Sequence, residues 1–300
     1  MENLELAIAE IKRELPDLEL HENEPMAAHC SFRIGGPADV FAEPGSAEEL
    51  RALCGYLRAH GVAATVIGNG TNLLVHDEGI RGVVVHLGER FAAIRREGDT
   101  LIADAGVTLA RLATAAKDAQ LAGLEFAHGI PGSLGGAVMM NAGAYGGEMK
   151  DVVAFVRYLN ADGEIAETAE PGFGYRHSRF ADSGELILGA TVRLVPDDGA
   201  AIHARMMELW AKRSASQPLD RPSAGSTFKR PATGYAAAMI DGAGLKGARV
   251  GGAQVSEKHA GFVINTGDAT FADVTALMAR IQETVQAKYG VWLEPEVRIL

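Results

Sequence analysis

Residues 128–149 read HGIPGSLGGAVMMNAGAYGGEM, with glycine at 129, 132, 135, 136, 143, 146 and 147 and no charge between His128 and Glu148. Glycine loses more conformational freedom on folding than any other residue. A run this dense in it needs bare backbone, either for a tight crossover packed on a sheet or for the close approach of a ligand. A second such element, VIGNGTNLLV at 66–75, follows a strand-like run. Its Gly68 and Gly70 leave backbone N–H groups accessible, and Asn69, Thr71 and Asn72 add polar side chains ahead of Leu73. Such a nest suits a pyrophosphate, and it suits a tight turn equally well. No Gly-Lys-Ser/Thr follows it, and the third glycine of a dinucleotide fingerprint is missing. Two glycine-rich loops in one chain favour a large cofactor that carries a diphosphate.

The rest of the composition narrows the class. At 300 residues the chain has room for two or three domains. A net charge of −11 argues against a nucleic-acid or anionic-membrane binder, while leaving room for a local basic pocket. Two cysteines, Cys30 and Cys54, make no disulfide framework and no zinc pair, and both read as core thiols. No metal site is expected. The N-terminus lacks the succession of a signal peptide, and no window approaches the length of a membrane span. A soluble protein of a reducing cytoplasm, with no obligate protein partner, is the expectation.

Periodicity gives a mixed set of elements. Leu4, Ile8, Ile11 and Leu15 predict an amphipathic helix, and Ser46 with Glu49 predicts a capping box on a second one. Strands are predicted at 63–67, 83–87, 92–96, 100–105, 152–160 and 186–195, with Asp162-Gly163 as a hairpin signal. Helices are predicted from Thr108 to Gln120, over 201–213, and over 270–289 behind Thr270. PDDG at 196–199 could mark a boundary, and VWLEPEVRIL closes the chain as a strand. The elements do not alternate regularly, so the fold class is α+β.

Three further stretches carry candidate chemistry. GFGYRHSRF (172–180) sets Tyr175 and Arg176 beside a glycine pair. Arginine's planar fork fits a carboxylate, and a surface ion pair explains it too; His177 reads as structural. SAGSTFKRP (223–231) puts Ser226 in a small-residue turn ahead of Lys229 and Arg230. Ser226 is a nucleophile or a turn residue, and no acyl-transfer triad accompanies it. LEPEVRIL (293–300) puts Glu294 and Glu296 on one face of a strand, with Arg298 two further on, and Val297 and Ile299 on the other face.

Taken in order, SFRIGGPADVF (31–41), GNGTNLLV (68–75), GIPGSLGGAVMMNAGAYG (129–146), YRHSRF (175–180), AGSTFKRP (224–231), LKGARVGGAQVSEKHAGFVIN (245–265) and LEPEVRIL (293–300) closely resemble the UDP-N-acetylenolpyruvoylglucosamine reductase family. The match is to the shorter form, without the extra tyrosine-bearing loop. Where some relatives carry glutamine before Asn141, Met140 stands here.

The resemblance implies an FAD-binding domain of the vanillyl-alcohol-oxidase type plus a C-terminal α+β substrate-binding domain. It divides the chain into 1–65 rejoined by 291–300, 66–197, and 198–290. It implies FAD held by Gly68, Asn69, Gly70, Thr71, Asn72, Leu73, Pro131, Gly132, Ser133, Gly136, Asn141, Gly143, Tyr145 and Gly146. The implied partners are NADPH and UDP-N-acetylglucosamine enolpyruvate, the latter held by Tyr175, Lys229, Lys246, Gln254 and Arg298. Other cations of the C-terminal region, Arg230 and Lys258, and His259 are further candidates for the diphosphate.

In the family's reaction NADPH reduces FAD, and the reduced flavin gives hydride to the terminal carbon of the enolpyruvyl double bond. Charge then develops towards the conjugated carboxylate and calls for preorganised donors. By the resemblance Arg176 and Glu296 stabilise it, Glu296 as the acid or through a hydrogen bond, and Ser226 donates the proton to the adjacent carbon. A different FAD oxidoreductase of the same cofactor fold and a non-catalytic nucleotide-binding module are the rival readings. Glu296 and Ser226 argue against the first, and the same pair with Arg176 against the second.

Overall fold

The computed structural model describes residues 2–300. Its contacts group into two compact units. The first comprises the chain up to Glu22, Val40–Asn69 and Gly82–Lys212; the second comprises Asn23–Asp39, Gly70–Arg81 and Arg213–Leu300. This grouping is coarser than the three segments read from the sequence and is bounded differently.

In the first unit, the helices Glu2–Glu14 and Ala47–Ala59 present Ala7, Ile8 and Ile11 and Leu50, Leu53 and Leu57 to one core. Each set recurs at helical spacing, which is why one stripe buries and the other stays wet. Ser46 caps the second helix by accepting from the Glu49 N–H. The Glu49 carboxylate turns instead to the Gly45 N–H, so the expected capping box is only half made. A sheet in the order Glu19–Pro25, Pro37–Glu43, Ile80–His86, Ala64–Ile67 contributes residues 19–22, 40–43, 82–86 and 64–67 to this unit, and its last two strands pair in parallel with Ala64 opposite Val83. Parallel neighbours need both faces covered, and Val83, Val84 and Val85 are all fully buried.

A five-stranded antiparallel sheet lies in the order Ile165–Thr168, Val153–Leu159, Leu186–Arg193, Thr100–Asp104, Ile94–Glu97. The strand expected at 92–96 thus starts later, after a turn of 3-10 helix at Glu89–Phe91. The Asp162-Gly163 signal lies within the connection of the hairpin whose strands pair Leu159 with Ile165. The helix Leu109–Asp118 starts where Thr108 Oγ1 accepts from the Arg111 N–H.

In the second unit, the long helix Phe271–Tyr289 buries Val274, Leu277, Met278, Ile281 and Val285 against a three-stranded antiparallel sheet, Arg249–Val250, Ala253–Val255 and Val263–Asn265. Thr270 and Asp273 make a full capping box at its start, and Gly290, left-handed at φ +69°, ends it. The two together fix both helix ends from local sequence.

The closing strand is shorter than expected. Only Arg298–Ile299 is strand, in parallel with Leu73–Leu74. Upstream, Pro295 has no N–H to donate and makes only an isolated bridge to Phe228. Glu294 and Glu296 therefore do not lie on a continuous strand face. Val297 is buried as expected, but Ile299 is 47% exposed, so the opposite face is not uniformly apolar.

Candidate active site

In the first unit the two glycine-rich stretches meet. The strand Ala64–Ile67 delivers Gly68, and a β-carbon there would lie 2.1 Å from Ser133 Oγ. Any other residue there would displace the Ser133 hydroxyl. Ser133 is 3% exposed and opens the helix Leu134–Met139. Gly132, just before it, accepts the Leu109 N–H at 3.0 Å. Pro131, Gly136, Tyr145 and Gly146 are exposed, so this stretch offers surface backbone with little side chain over it.

Beyond that helix the chain makes a tight hairpin. Gly143–Ala144 pairs with Gly147–Glu148 across Tyr145 and Gly146, whose φ values are both positive, +53° and +89°. That is the backbone of a type I′ turn, in which a tyrosine is unusual. A second tight turn runs from Gly174 to His177, which exchange backbone hydrogen bonds. Arg176 sits in it at φ +52° and donates from Nη2 to the Gly143 carbonyl at 3.4 Å. Its guanidinium lies 5.2 Å from the Tyr175 ring centroid.

Asn141 joins the two turns. It is 1% exposed and bonds Glu148, Gly174 and Lys150. The Glu148 carboxyl is held below the usual carboxylate range, first by Lys150, with Asn141 and Arg176 acting in the same sense. Three non-glycine residues with left-handed backbone, Asn141, Tyr145 and Arg176, thus fall in this one region. Backbone strain of that kind clusters at functional sites. His177 stays exposed, 4.0 Å from Asp182.

In the second unit Gly70 has a packing reason of its own. At φ +59° its β-carbon would stand 2.1 Å from the His29 carbonyl oxygen. Its glycine identity is therefore required by the fold, before any ligand is considered. Two residues on, Asn72 Nδ2 donates to the Glu296 carbonyl at 3.0 Å, and the Asn72 carbonyl accepts the Arg298 N–H at 2.9 Å. The Glu296 N–H donates to the Thr227 carbonyl at 2.8 Å, and Thr227 Oγ1 accepts the Val263 N–H. Ser226, exposed, directly precedes this buried Thr227. The structure thus brings Asn72, Thr227 and Glu296 together, with Ser226 next to Thr227 in the chain.

The expected substrate-binding residues of this unit are spread more widely. Lys229 Nζ lies 3.4 Å from Glu294, and Lys246 Nζ lies 2.8 Å from Asp241. Gln254 donates to the Gly247 carbonyl and lines a cleft with Arg221, Arg249 and Thr266. Arg230 lies 4.1 Å from the Tyr235 ring centroid. Lys258 donates to the Ser214 carbonyl, and burial lowers the pKa of His259. Arg298 is exposed.

Two participants had no sequence signal. Thr227 works through its backbone carbonyl, and Glu148 through its place in a hairpin. Cys30 and Cys54 behave as core thiols; burial pushes the Cys54 thiol up to about 11.

Residues 38–169 match the FAD binding domain family, and residues 217–300 match the family described as UDP-N-acetylenolpyruvoylglucosamine reductase, C-terminal domain. Over 298 residues the chain is 50% identical to the UDP-N-acetylenolpyruvoylglucosamine reductase of Caldanaerobacter subterraneus subsp. tengcongensis, covering 99% of this chain and 98% of that relative. The chain belongs to the UDP-N-acetylenolpyruvoylglucosamine reductase family. The reductase of Syntrophomonas wolfei is 47% identical, over 95% of this chain and 96% of its own length. Among solved structures, the reductase of Thermus caldophilus superposes with a TM-score of 0.80 at 36% identity, covering 94% of this chain and 98% of that one.

The α+β expectation holds, with an FAD-binding domain and the reductase family's C-terminal domain in one chain. The FAD-binding match contains both glycine-rich stretches; the C-terminal match contains Ser226 and Glu296; Tyr175 and Arg176 lie in the stretch between the two. FAD is the cofactor. The accessible backbone at Gly136 and Gly146, where an added β-carbon meets nothing closer than 3.8 Å, suits a flat group that needs close approach. Among the described residues no helix is long and apolar enough to cross a membrane.

Proposed function

We propose that this protein is a UDP-N-acetylenolpyruvoylglucosamine reductase: it uses NADPH to convert UDP-N-acetylglucosamine enolpyruvate to UDP-N-acetylmuramate, a step of peptidoglycan precursor synthesis. The observation that carries the reading is the identity of 50% across nearly the whole of a reductase of that name. The reading places the enzyme in the cytoplasm, where NADPH and nucleotide sugars are found.

FAD, when bound, supplies the hydride chemistry between NADPH and the enolpyruvyl double bond. Backbone of Gly68–Leu73 and of Pro131–Gly136, with Gly143, Tyr145 and Gly146, would hold it. The chain's own residues handle charge and proton. Arg176 offers its fork to the substrate carboxylate, on which negative charge accumulates. Glu296 acts with it, as the acid or through a hydrogen bond to that carboxylate. Ser226 Oγ–H gives its proton to the carbon next to the one that receives hydride, so the double bond is saturated by one hydride and one proton. A hydroxyl is a weak acid, but the carbanion-like carbon it meets is a strong base. Tyr175, Lys229, Lys246, Gln254 and Arg298 are proposed to hold the sugar nucleotide. The division into 1–65 with 291–300, 66–197 and 198–290 is kept as the functional division, the last segment covering the substrate.

The test is steady-state turnover. NADPH consumption should depend on UDP-N-acetylglucosamine enolpyruvate, and mass spectrometry should find a product two mass units heavier than the substrate, about one hydride and one proton. Consumption of NADPH that is indifferent to the sugar nucleotide would remove the reading.

A further inference from the structure

Asn141 has every polar group of its side chain engaged. Nδ2 donates to Glu148 Oε2 at 2.8 Å and to the Gly174 carbonyl at 3.0 Å, while Oδ1 accepts the Lys150 N–H at 2.9 Å. Its partners belong to the two tight turns already described. Glu148 closes the hairpin that begins at Gly143, and Gly174 opens the turn that holds Arg176. Arg176 completes the circuit by donating to the Gly143 carbonyl.

We propose that Asn141, which the resemblance counts among the residues that hold FAD, is instead a positioning residue for Arg176: it locks the turn that carries the guanidinium onto the hairpin that the guanidinium touches, and its side chain, fully engaged within the protein, does not contact the cofactor. The inference rests on the reading of Arg176 as the group that meets the substrate carboxylate.

Three physical arguments support it. The Gly174–His177 turn is weakly self-determined, since one of its two backbone bonds is long at 3.4 Å and its Arg176 is left-handed. An outside anchor is needed, and the bond from Asn141 to Gly174 supplies one. The Glu148 carboxylate also attracts Arg176. An unfixed carboxylate would compete with a substrate carboxylate for the same fork. Asn141 and Lys150 both bind it, so its position is set.

Lastly, the site asks for one residue with two donors, one acceptor and a left-handed backbone. Asparagine tolerates that backbone better than most residues. Aspartate has the size without the donors, and glycine has the backbone without the amide. A fully satisfied buried network of this kind is rigid.

Those last two residues are the test. Asn141→Gly and Asn141→Asp both keep a permissive backbone at φ +42° and both delete the donations. Each is made alone and combined with Arg176→Ala. Four quantities are read: FAD content by absorbance, flavin reduction by NADPH, reoxidation by the sugar nucleotide, and substrate affinity from the flavin spectral change. The expected result is retained FAD, NADPH reduction within a few-fold of wild type, weaker substrate binding, and reoxidation slower by about 10- to 100-fold, the scale of a misplaced catalytic group.

In the Arg176→Ala background the same substitutions should cost little more, because residues acting through one another are not additive. Reoxidation at the wild-type rate in both variants overturns the inference. So does full additivity with Arg176→Ala, and so does loss of FAD from both variants. If Arg176→Ala alone reoxidises like wild type, the reading of Arg176 falls and this inference falls with it. If that enzyme is slow while both Asn141 variants are fast, only the inference falls.

Discussion

Ser226 is exposed at the end of a small-residue turn, and the next residue, Thr227, is buried with its carbonyl bonded to the Glu296 N–H. The backbone that holds Ser226 is therefore independent of its hydroxyl, and Ser226→Ala should fold normally. As general acids contribute about 10²–10⁴-fold, rapid mixing should find its flavin reoxidation slowed by that order and its reduction by NADPH little changed. Reoxidation within a few-fold of wild type would return Ser226 to a turn residue. Glu296 is held by its backbone too, through Asn72 and Thr227. Glu296→Gln should slow reoxidation by about 10²-fold, the cost of one lost charge-stabilising partner, again with NADPH reduction near normal. A collapse of NADPH reduction instead would make Glu296 a structural or flavin contact. Ser226 and Glu296 are singled out by their match to the family's motifs, since the residues alone leave Ser226 a nucleophile or a turn residue. The role of Asn141 was not legible in the sequence, because its partners at Glu148, Lys150 and Gly174 come together only when two turns fold against each other.

Among the elements, the helix Phe271–Tyr289 matches the expected 270–289 almost to the residue, since its amphipathic period and its Thr270 cap are both local. Asp273 accepts the N–H groups of Thr270 and Gly252, and these bonds hold its carboxyl below the usual range. A depressed carboxyl stabilises the fold above its unfolded pKa, and that stability is lost as pH falls through the folded value. Asp273→Ala should therefore lower the urea midpoint at pH 7, and the gap from wild type should narrow as pH drops below about 4. A gap that stays constant down to pH 3 would show that ionisation is irrelevant there.

The two glycine-rich stretches are loops only in part, since residues 128–149 contain the helix Leu134–Met139 and the hairpin of Gly143–Ala144 with Gly147–Glu148, and their glycines have mixed reasons. Gly70 answers to the His29 carbonyl, a contact distant in sequence and invisible from it. Gly70→Ala should lower the melting temperature of the FAD-free and FAD-loaded proteins alike, by more than about 1 kcal/mol in stability. A loss seen only in the loaded protein would assign Gly70 to the cofactor. The closing segment was overread as a strand, because alternation of charge and apolar residues cannot register the missing N–H of Pro295.

On the scale of the whole molecule, the α+β class and the FAD-binding identity were both legible, for different reasons. The class follows from irregular alternation of helix and strand patterns. The identity follows from seven motifs in one order, since no single glycine loop here carries a complete fingerprint. The grouping of residues was harder to read. Asn23–Asp39 and Gly70–Arg81 pack in the unit of the C-terminal region, as the core around Phe32, Ile34 and Leu74 shows. Short strands such as Leu73–Leu74 have too few residues to show periodicity, so their partners are fixed by tertiary packing.

By the proposed function, one chain passes electrons from NADPH through FAD to an enolpyruvyl sugar nucleotide. The most direct measurement is an anaerobic titration of the purified protein followed by its visible spectrum. The expected result is a yellow protein that NADPH bleaches, and whose colour one equivalent of UDP-N-acetylglucosamine enolpyruvate restores with formation of UDP-N-acetylmuramate. A bleached protein that stays colourless with the sugar nucleotide, and regains its colour only when oxygen is admitted, would contradict it.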